Sequence, residues 1–403
     1  MDYREAIRWL FATQMFGIKL GLESSRQLLN TFSAFPAPDT LVIHVAGTNG
    51  KGSTCAMIDR IALACGSHCG LFTSPHLIDY RERIKVAGQE IPENTCAILL
   101  TELKTICQDL ETHPTFFEIS LALAMRWFRE QNCDLIVLET GMGGRFDATT
   151  AVPAQVCVIT PIGLDHTQFL GSTLTEIARE KAGIFVPRKP IVSAPQETNV
   201  RTVLESEAHL THSPLEFVRE PWSNSPIALA GIHQQWNAAL AVTALHRAGL
   251  PLTTDHVRDG LANVSWPGRF EKIRPGVVLD GAHNPQSAKV LEETWKAEYP
   301  GECASLVFGA VAAKDIRGIL EILAPIAARI LLCPVANLRA VPPDDLAACL
   351  PDNAPPHATF SNFQAAFSAA TAHNSPILIA GSLFLVGEAR AFLTHQEFQS
   401  SLQ

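Results

Sequence analysis

The sequence has no Cys-x-x-Cys pair among its ten cysteines, which stand at 55, 65, 69, 96, 107, 133, 157, 303, 333 and 349. That scatter argues against a zinc ribbon or a dithiol redox motif and suits reduced, mostly core thiols of a cytoplasmic protein. Basic residues are not in excess: 31 Lys and Arg face 40 Asp and Glu, a net charge of −9. A chain this acidic lacks the footprint for sequence-independent duplex binding, so no nucleic-acid partner is expected. Apolar runs fall short of the roughly 18–20 residues that span a bilayer. Met1-Asp2-Tyr3-Arg4-Glu5 is not a basic start followed by an apolar stretch, so neither a membrane segment nor a secretory leader is expected. Repeats, heptads and low-complexity tracts are also missing. What remains is 403 residues, 47% apolar and 18% charged. That balance excludes intrinsic disorder and supports two or three domains with sizeable cores.

Short apolar runs alternate with longer amphipathic segments. Leu41–Val45, Asp134–Leu138, Val156–Ile159 and Pro190–Val192 read as strands, with helices at about 52–65, 117–131 and 234–249. Near-continuous Val/Ile/Leu runs between helices argue for parallel strands covered on both faces. Breakers then cluster at Ser265-Trp266-Pro267-Gly268-Arg269 and Arg274-Pro275-Gly276. The alternation restarts with strands at Val277–Leu279, Ser305–Phe308, Ile330–Leu332 and Ile377–Ile379. The expectation is an α/β protein of two domains. A larger, mostly parallel domain of P-loop type takes residues 1–268. Residues 269–275 form a linker, and 276–403 a smaller Rossmann-like α/β domain.

The first strand runs into Ala46-Gly47-Thr48-Asn49-Gly50-Lys51-Gly52-Ser53-Thr54, and a helix follows. A strand, a glycine-rich turn, a Lys with hydroxyl neighbours and a helix N-terminus make a triphosphate cradle: backbone N–H groups point at the phosphates, and Lys51 and the helix dipole add positive charge. The common Gly-x4-Gly-Lys-Ser/Thr spacing is not matched, because the first Gly would fall at Val45. Glu139 ends a buried strand, where α/β sheets place their ligands, and suits a Mg²⁺ ion. Thr173 and Glu176 form a capping box that opens a helix stopping at Gly183, so Lys181 falls in its last turn, where a cation complements the dipole.

Gly47–Ser53 resembles the loop of the Mur ligase superfamily and, more narrowly, of the folylpolyglutamate synthase / dihydrofolate synthase family. Further segments resemble that family in its own order. They include Thr73–Leu77, Phe116–Glu118, Leu138–Thr149, Leu164–Thr167, Glu180–Ile184, Trp266–Glu271, Asp280–Pro285 and Gly381–Leu383. The resemblance implies an ATP- and Mg²⁺-dependent ligase that adds L-glutamate to a dihydropteroate or reduced-folate carboxylate. It implies that Thr48, Asn49, Gly50, Lys51, Gly52, Ser53, Asn237, Arg269 and Asp280 bind ATP, with His283 and Asn284 as further candidates. Ser74, Glu139 and His166 would hold Mg²⁺ together with Lys181, carried as a CO₂-derived carbamate. Lys51, Glu139, His166 and Lys181 would form the catalytic set. Leu20, Gly21, Thr115, Phe116, Phe117, Glu118, Phe146, Asp147 and Ala148 would contact the pterin. A monomer is expected.

Three other functions share parts of this pattern. A cell-wall Mur ligase uses the same chemistry, but only 46 residues precede Gly47, too few for a UDP-binding domain. A small-molecule kinase shares the loop but does not need a second domain bearing Asp280-Gly281-Ala282-His283-Asn284-Pro285. A non-catalytic nucleotide binder need not keep Lys51, Glu139, His166 and Lys181.

Overall fold

The computed structural model describes residues 1–17 and 21–399. Its first sheet contains β1 (Leu41–Ala46), β2 (Cys69–Phe72), β3 (Ile84–Val86), β4 (Gln89–Glu90), β5 (Leu135–Glu139), β6 (Val156–Ile159), β7 (Ile191–Ser193) and β8 (Leu215–Phe217). Their order across the sheet is β4-β3-β2-β5-β1-β6-β7-β8. Only the β2–β3 and β3–β4 pairs are antiparallel. Residues one apart on a strand face opposite sides, and both sides here are apolar. Val42 and Ala46 of β1 join one core, under the helix Phe116–Glu130, while Ile43 and Val45 join the other. That second core is capped by the helices Lys51–Ala64, Ile232–Arg247 and Thr254–Ala262.

The second sheet contains β9 (Glu271–Arg274), β10 (Val277–Leu279), β11 (Ala304–Phe308), β12 (Ala327–Leu332), β13 (His357–Thr359) and β14 (Ile377–Ala380). Its order is β13-β12-β11-β14-β10-β9, parallel except for the β9–β10 hairpin. Residues 271–274, within the stretch read as a linker, thus form the edge strand of this sheet. A hairpin turn at Gly276, with φ +73°, joins that edge to β10.

Register aligns the strand ends that matter. Val45 pairs with Glu139 and Ala46 with Ile159, so the carboxyl ends of β5, β1 and β6 open side by side. The loops after β10 and β11 meet them from the second domain, through His283, Asn284 and Lys314. A cleft of about 1410 Å³ between the domains is lined by Gly52, Ser74 and Glu139 on one side and by Trp266, Arg269 and Leu383 on the other.

Candidate active site

The turn after β1 bends on two glycines. Gly47 has φ +147° and Gly50 has φ +87°, backbone conformations that side chains disfavour. Space is short as well: a Cβ on Gly47 would lie 1.8 Å from Thr160 Oγ1, and one on Gly50 would lie 2.7 Å from Asn237 Oδ1. The loop is braced from β6. Thr48 N and Asn49 N both donate to Pro161 O, across 3.0 and 3.3 Å. The Thr48 hydroxyl accepts from Gly163 N and donates to Gly163 O, at 3.0 Å each. Thr48 and Asn49 therefore spend their amides on holding the loop. Among the described residues, no hydrogen bond takes the N–H of Gly50, Lys51, Gly52 or Ser53. These four open the Lys51–Ala64 helix, and the positive end of its dipole lies at their unpaired N–H groups, the arrangement that suits an anion.

Two lysines converge on one carbonyl. Lys51 Nζ donates to Gly47 O at 3.1 Å and to Thr48 O at 3.2 Å, and Lys181 Nζ donates to Gly47 O at 2.7 Å. Lys181 projects from the last turn of the Leu174–Ala182 helix, which opens on the Thr173–Glu176 capping box and closes at Gly183. It is 4% exposed. Burial first, and the charge of Lys51 second, bring its amine down to about 7, against the pull of Asp165 and Asp147. The lowering favours the neutral nitrogen, the form that reacts with CO₂.

Glu139, at the end of β5, is 5% exposed. Burial raises its carboxyl above the usual range; Lys51, the Ser74 N–H at 3.1 Å, Arg269 and Arg83 oppose the rise. A buried carboxylate facing cations fits a cation-bound state. His166 has φ +51° and starts the short turn Thr167–Leu170. Its side chain lies at the surface beside Asp165, whose carboxylate pulls the imidazole pKa up while Lys314 and Lys51 push it down. Among the described residues, no three His, Cys, Asp or Glu side chains form a metal cage. Glu139 with the neighbouring Ser74 still fits Mg²⁺, which keeps waters and takes phosphate oxygens, while no contact among the described residues joins His166 to that pair.

The second domain brings its own groups. The Asp280 carboxylate accepts from Phe270 N and Ala282 N, at 2.8 Å each. Burial raises its pKa and the Arg269 guanidinium is the largest opposing influence. Arg269 itself donates to Gly268 O at 3.2 Å. In the Ile232–Arg247 helix, Asn237 Nδ2 donates to Gln234 Oε1 at 2.9 Å, and Gln234 Nε2 reaches Ser53 Oγ at 3.4 Å. Asn284 and Asn49 exchange hydrogen bonds across the cleft, at 3.1 and 3.3 Å. The loop, the Ile232–Arg247 helix and the second domain thus meet at one place.

Two family models match the chain: the Mur ligase middle domain over residues 45–194, and the Mur ligase, glutamate ligase domain over 268–383. The dihydrofolate synthase/folylpolyglutamate synthase of Escherichia coli (strain K12) is 35% identical over 388 residues, which cover 92% of this chain and 90% of that relative. The chain belongs to the folylpolyglutamate synthase / dihydrofolate synthase family. A probable bifunctional folylpolyglutamate synthase/dihydropteroate synthase of Haloferax volcanii is 34% identical over 98% of the chain, and there the chain spans only 51% of the relative's length. A crystal structure of bifunctional folylpolyglutamate synthase/dihydrofolate synthase from Yersinia pestis, complexed with AMPPNP and Mn ion, aligns with TM-score 0.88 and 29% identity, covering 98% of each chain.

For a member of this family the stretches expected to meet a pterin have a mixed environment. Leu20 lies outside the described residues; Gly21 has φ +126°. Thr115 and Glu118 are the capping box of the Phe116–Glu130 helix, and Glu118 also accepts from Ser25 Oγ at 3.0 Å. Phe116 packs in the core beside Arg83 and Phe11. Phe117 closes on Gly141 so tightly that a Cβ there would lie 2.7 Å from its ring. Asp147 accepts from Met142 N, Thr149 N and the Thr149 hydroxyl, with Ala148 buried beside it. Phe146 is the exposed member of the set.

Sequence reasoning assigned no role to Trp266, Gln286 or Lys314, and quoted Asp165 only as the neighbour of His166. Gly52 hints at Trp266, since a missing side chain on a helix marks a close neighbour. Lys314 carries no local signal; its partner is 149 residues away.

Proposed function

We propose that the chain joins the amino group of L-glutamate to the carboxylate of dihydropteroate or a reduced folate, at the cost of ATP. The observation that carries this reading is the helix start at Gly50–Ser53, with its free N–H groups, at a cleft lined by Gly52 on one side and by Arg269 on the other. The substrate carboxylate attacks the γ-phosphorus of ATP and ADP leaves, giving an acyl phosphate. The glutamate nitrogen then attacks the acyl carbon; phosphate leaves and the nitrogen gives up its proton. No protein nucleophile is needed. Positioning and stabilisation of the transferring phosphoryl group carry the rate, supplied by the free amides of the loop and by Lys51. Thr48 and Asn49 hold the loop's shape, while Asn237, Arg269 and Asp280 seat the rest of the nucleotide.

Glu139, Ser74, His166 and a carbamate on Lys181 would hold a divalent ion, proposed as Mg²⁺, which would neutralise phosphate charge when bound. The divalent requirement is supported by the Mn ion in the Yersinia pestis relative. The neutral fraction of the Lys181 amine supports the carbamate, because Lys181 as an ammonium beside a cation would repel it. Phe117, Phe146 and Asp147, with Leu20 and Gly21, are the proposed pterin side. The ten unpaired cysteines support a cytoplasmic protein, and a cleft completed by two domains of one chain supports a monomer.

ADP release measured separately with dihydropteroate and with tetrahydrofolate, each with and without L-glutamate, tests the reading. Ligation requires release that depends on glutamate and on at least one pterin, with an amide product by mass spectrometry. Release that ignores glutamate would point instead to a kinase.

A further inference from the structure

Asp165 stands in the loop that leaves the carboxyl end of β6, and its side chain is 9% exposed. The side-chain partners that meet its carboxylate come from the second domain. Lys314 Nζ lies 2.5 Å from Oδ1, Asn284 Nδ2 donates to Oδ2 at 3.3 Å, and His283 Nε2 lies 3.4 Å from Oδ2. Lys314 follows β11, whereas His283 and Asn284 follow β10, so one carboxylate gathers two separate loops of that domain. The same Asn284 is bonded in both directions to Asn49 of the phosphate loop, and Asn49 Nδ2 also donates to Gln286 Oε1 at 2.8 Å. Two residues before Asp165, Gly163 meets Gln286 so closely that a Cβ there would lie 2.1 Å from Oε1.

Charge explains why a carboxylate is needed at this point. Lys51 and Lys181 line the first domain's side and Lys314 the second's, so bringing the walls together opposes like charges where Lys314 and Lys181 are largely buried. A charged, nearly buried pair is far less screened than a surface ion pair and has defined geometry. Asp165 is the anion between the walls.

We infer that Asp165 is a positioning residue: through Lys314, His283 and Asn284 it latches the second domain onto the phosphate loop and sets how readily the cleft closes over ATP. The inference rests on the two-domain ligase reading above. It touches no bond-making step. The latch biases an equilibrium between open and closed clefts, and a nucleotide bound by both walls biases the same equilibrium.

Asp165→Asn keeps the shape and removes the charge, and Lys314→Met removes the partner from the other wall. Both are made in the full chain, singly and together. Each single variant is expected to raise the KM for ATP roughly 5- to 100-fold, the usual span of a coupling between sites. Saturating ATP closes the cleft by itself, so kcat is expected to stay within about twofold of the parent, since a change confined to the closing equilibrium leaves the closed state's chemistry intact. The double variant is expected to be no worse than the weaker single one, because the same contact is lost once. Without nucleotide, hydrogen exchange is expected to quicken in segments 163–167 and 309–316 of either single variant, and ATP is expected to restore protection. An unchanged KM, effects that multiply in the double variant, or a loss of kcat with unchanged exchange would overturn the latch. If the parent chain forms no amide, the ligase reading falls, and the nucleotide-free exchange comparison still decides on the latch.

Discussion

Gly52 lies flat against the indole of Trp266: a Cβ built on Gly52 would stand 2.7 Å from Nε1 and 2.9 Å from Cε2 and Cζ2. Trp266 comes from the turn between the domains, so it caps the first turn of the Lys51–Ala64 helix from outside. In an open helix, Gly→Ala gains about 1 kcal/mol. Here overpacking costs roughly 1–3 kcal/mol and displaces the indole. Gly52→Ala is expected to melt no higher than the parent and to bind ATP more weakly, and Gly52→Ala with Trp266→Leu to recover part of the loss. Thermal melts and the KM for ATP check this; an alanine variant that is stabilised and binds ATP normally would remove the contact from the account.

Lys51 holds two loop carbonyls and is a half-buried cation of the loop. Lys51→Ala is expected to lower kcat by roughly 10²–10³, the usual effect of removing one preorganised charge contact to the transferring group. Its circular dichroism and melting point should match the parent within error, because the site is a loop-to-helix junction. Near-normal turnover in a folded Lys51→Ala protein would exclude that role.

Lys181 is expected to take up CO₂. With ¹³C-bicarbonate at pH 8, above the value of about 7 at which its amine titrates, a carbamate carbon resonance should appear. Lys181→Met should lack it. Lys181→Ala should lose turnover, with partial return on adding a short carboxylate such as acetate. A parent protein that is fully active and carries no such resonance would return Lys181 to the role of a helix-end cation.

His44 gives a pH signature independent of catalysis. It is buried in β1 and accepts no charge cheaply: burial lowers its imidazole from 6.5 to about 3. Its Nε2 lies 2.7 Å from Thr149 Oγ1, and that hydroxyl donates in turn to Asp147, so Nε2 carries the proton. Between pH 6.5 and 3 the unfolded chain binds a proton that the folded chain refuses. The stabilising contribution is therefore complete above 6.5 and lost as pH falls, at up to about 1.4 kcal/mol per unit. Urea midpoints from pH 7 to 4.5 should fall less steeply for His44→Gln than for the parent. Equal slopes would mean that His44 is protonated or hydrated in the native state.

The loop was legible because its chemistry is local: strand, turn glycines, lysine and helix start are consecutive, and each leaves a residue-type signature. Glu139 was legible as the polar end of an apolar strand, and the Thr173–Glu176 box as a helix start. Which amides face a ligand was not legible, since Pro161 O takes those of Thr48 and Asn49 from 113 and 112 positions away along the chain. The strand at 271–274 was hidden by flanking breakers; Arg274-Pro275-Gly276 reads as an interruption and is the turn of a hairpin. The Asp165–Lys314 pair is invisible in sequence because a surface lysine after a strand looks like any other. Only the packing of two sheets end to end brings it to the carboxylate.

The chain passes between its domains twice. After Gly268 it enters the second sheet, and beyond the helix Leu383–Thr394 it returns to the first domain. There Gln399 N donates to Ile78 O at 2.9 Å, its side-chain oxygen accepts from Tyr80 N at 3.1 Å, and its carbonyl meets His76 Nε2 at 3.1 Å. Leu77 and Ile78 also pack in the core of the second sheet, so the segment 74–80 is shared between the two domains. That segment begins at Ser74, whose N–H donates to Glu139, so one short stretch of backbone runs from the second domain's packing to a buried carboxylate.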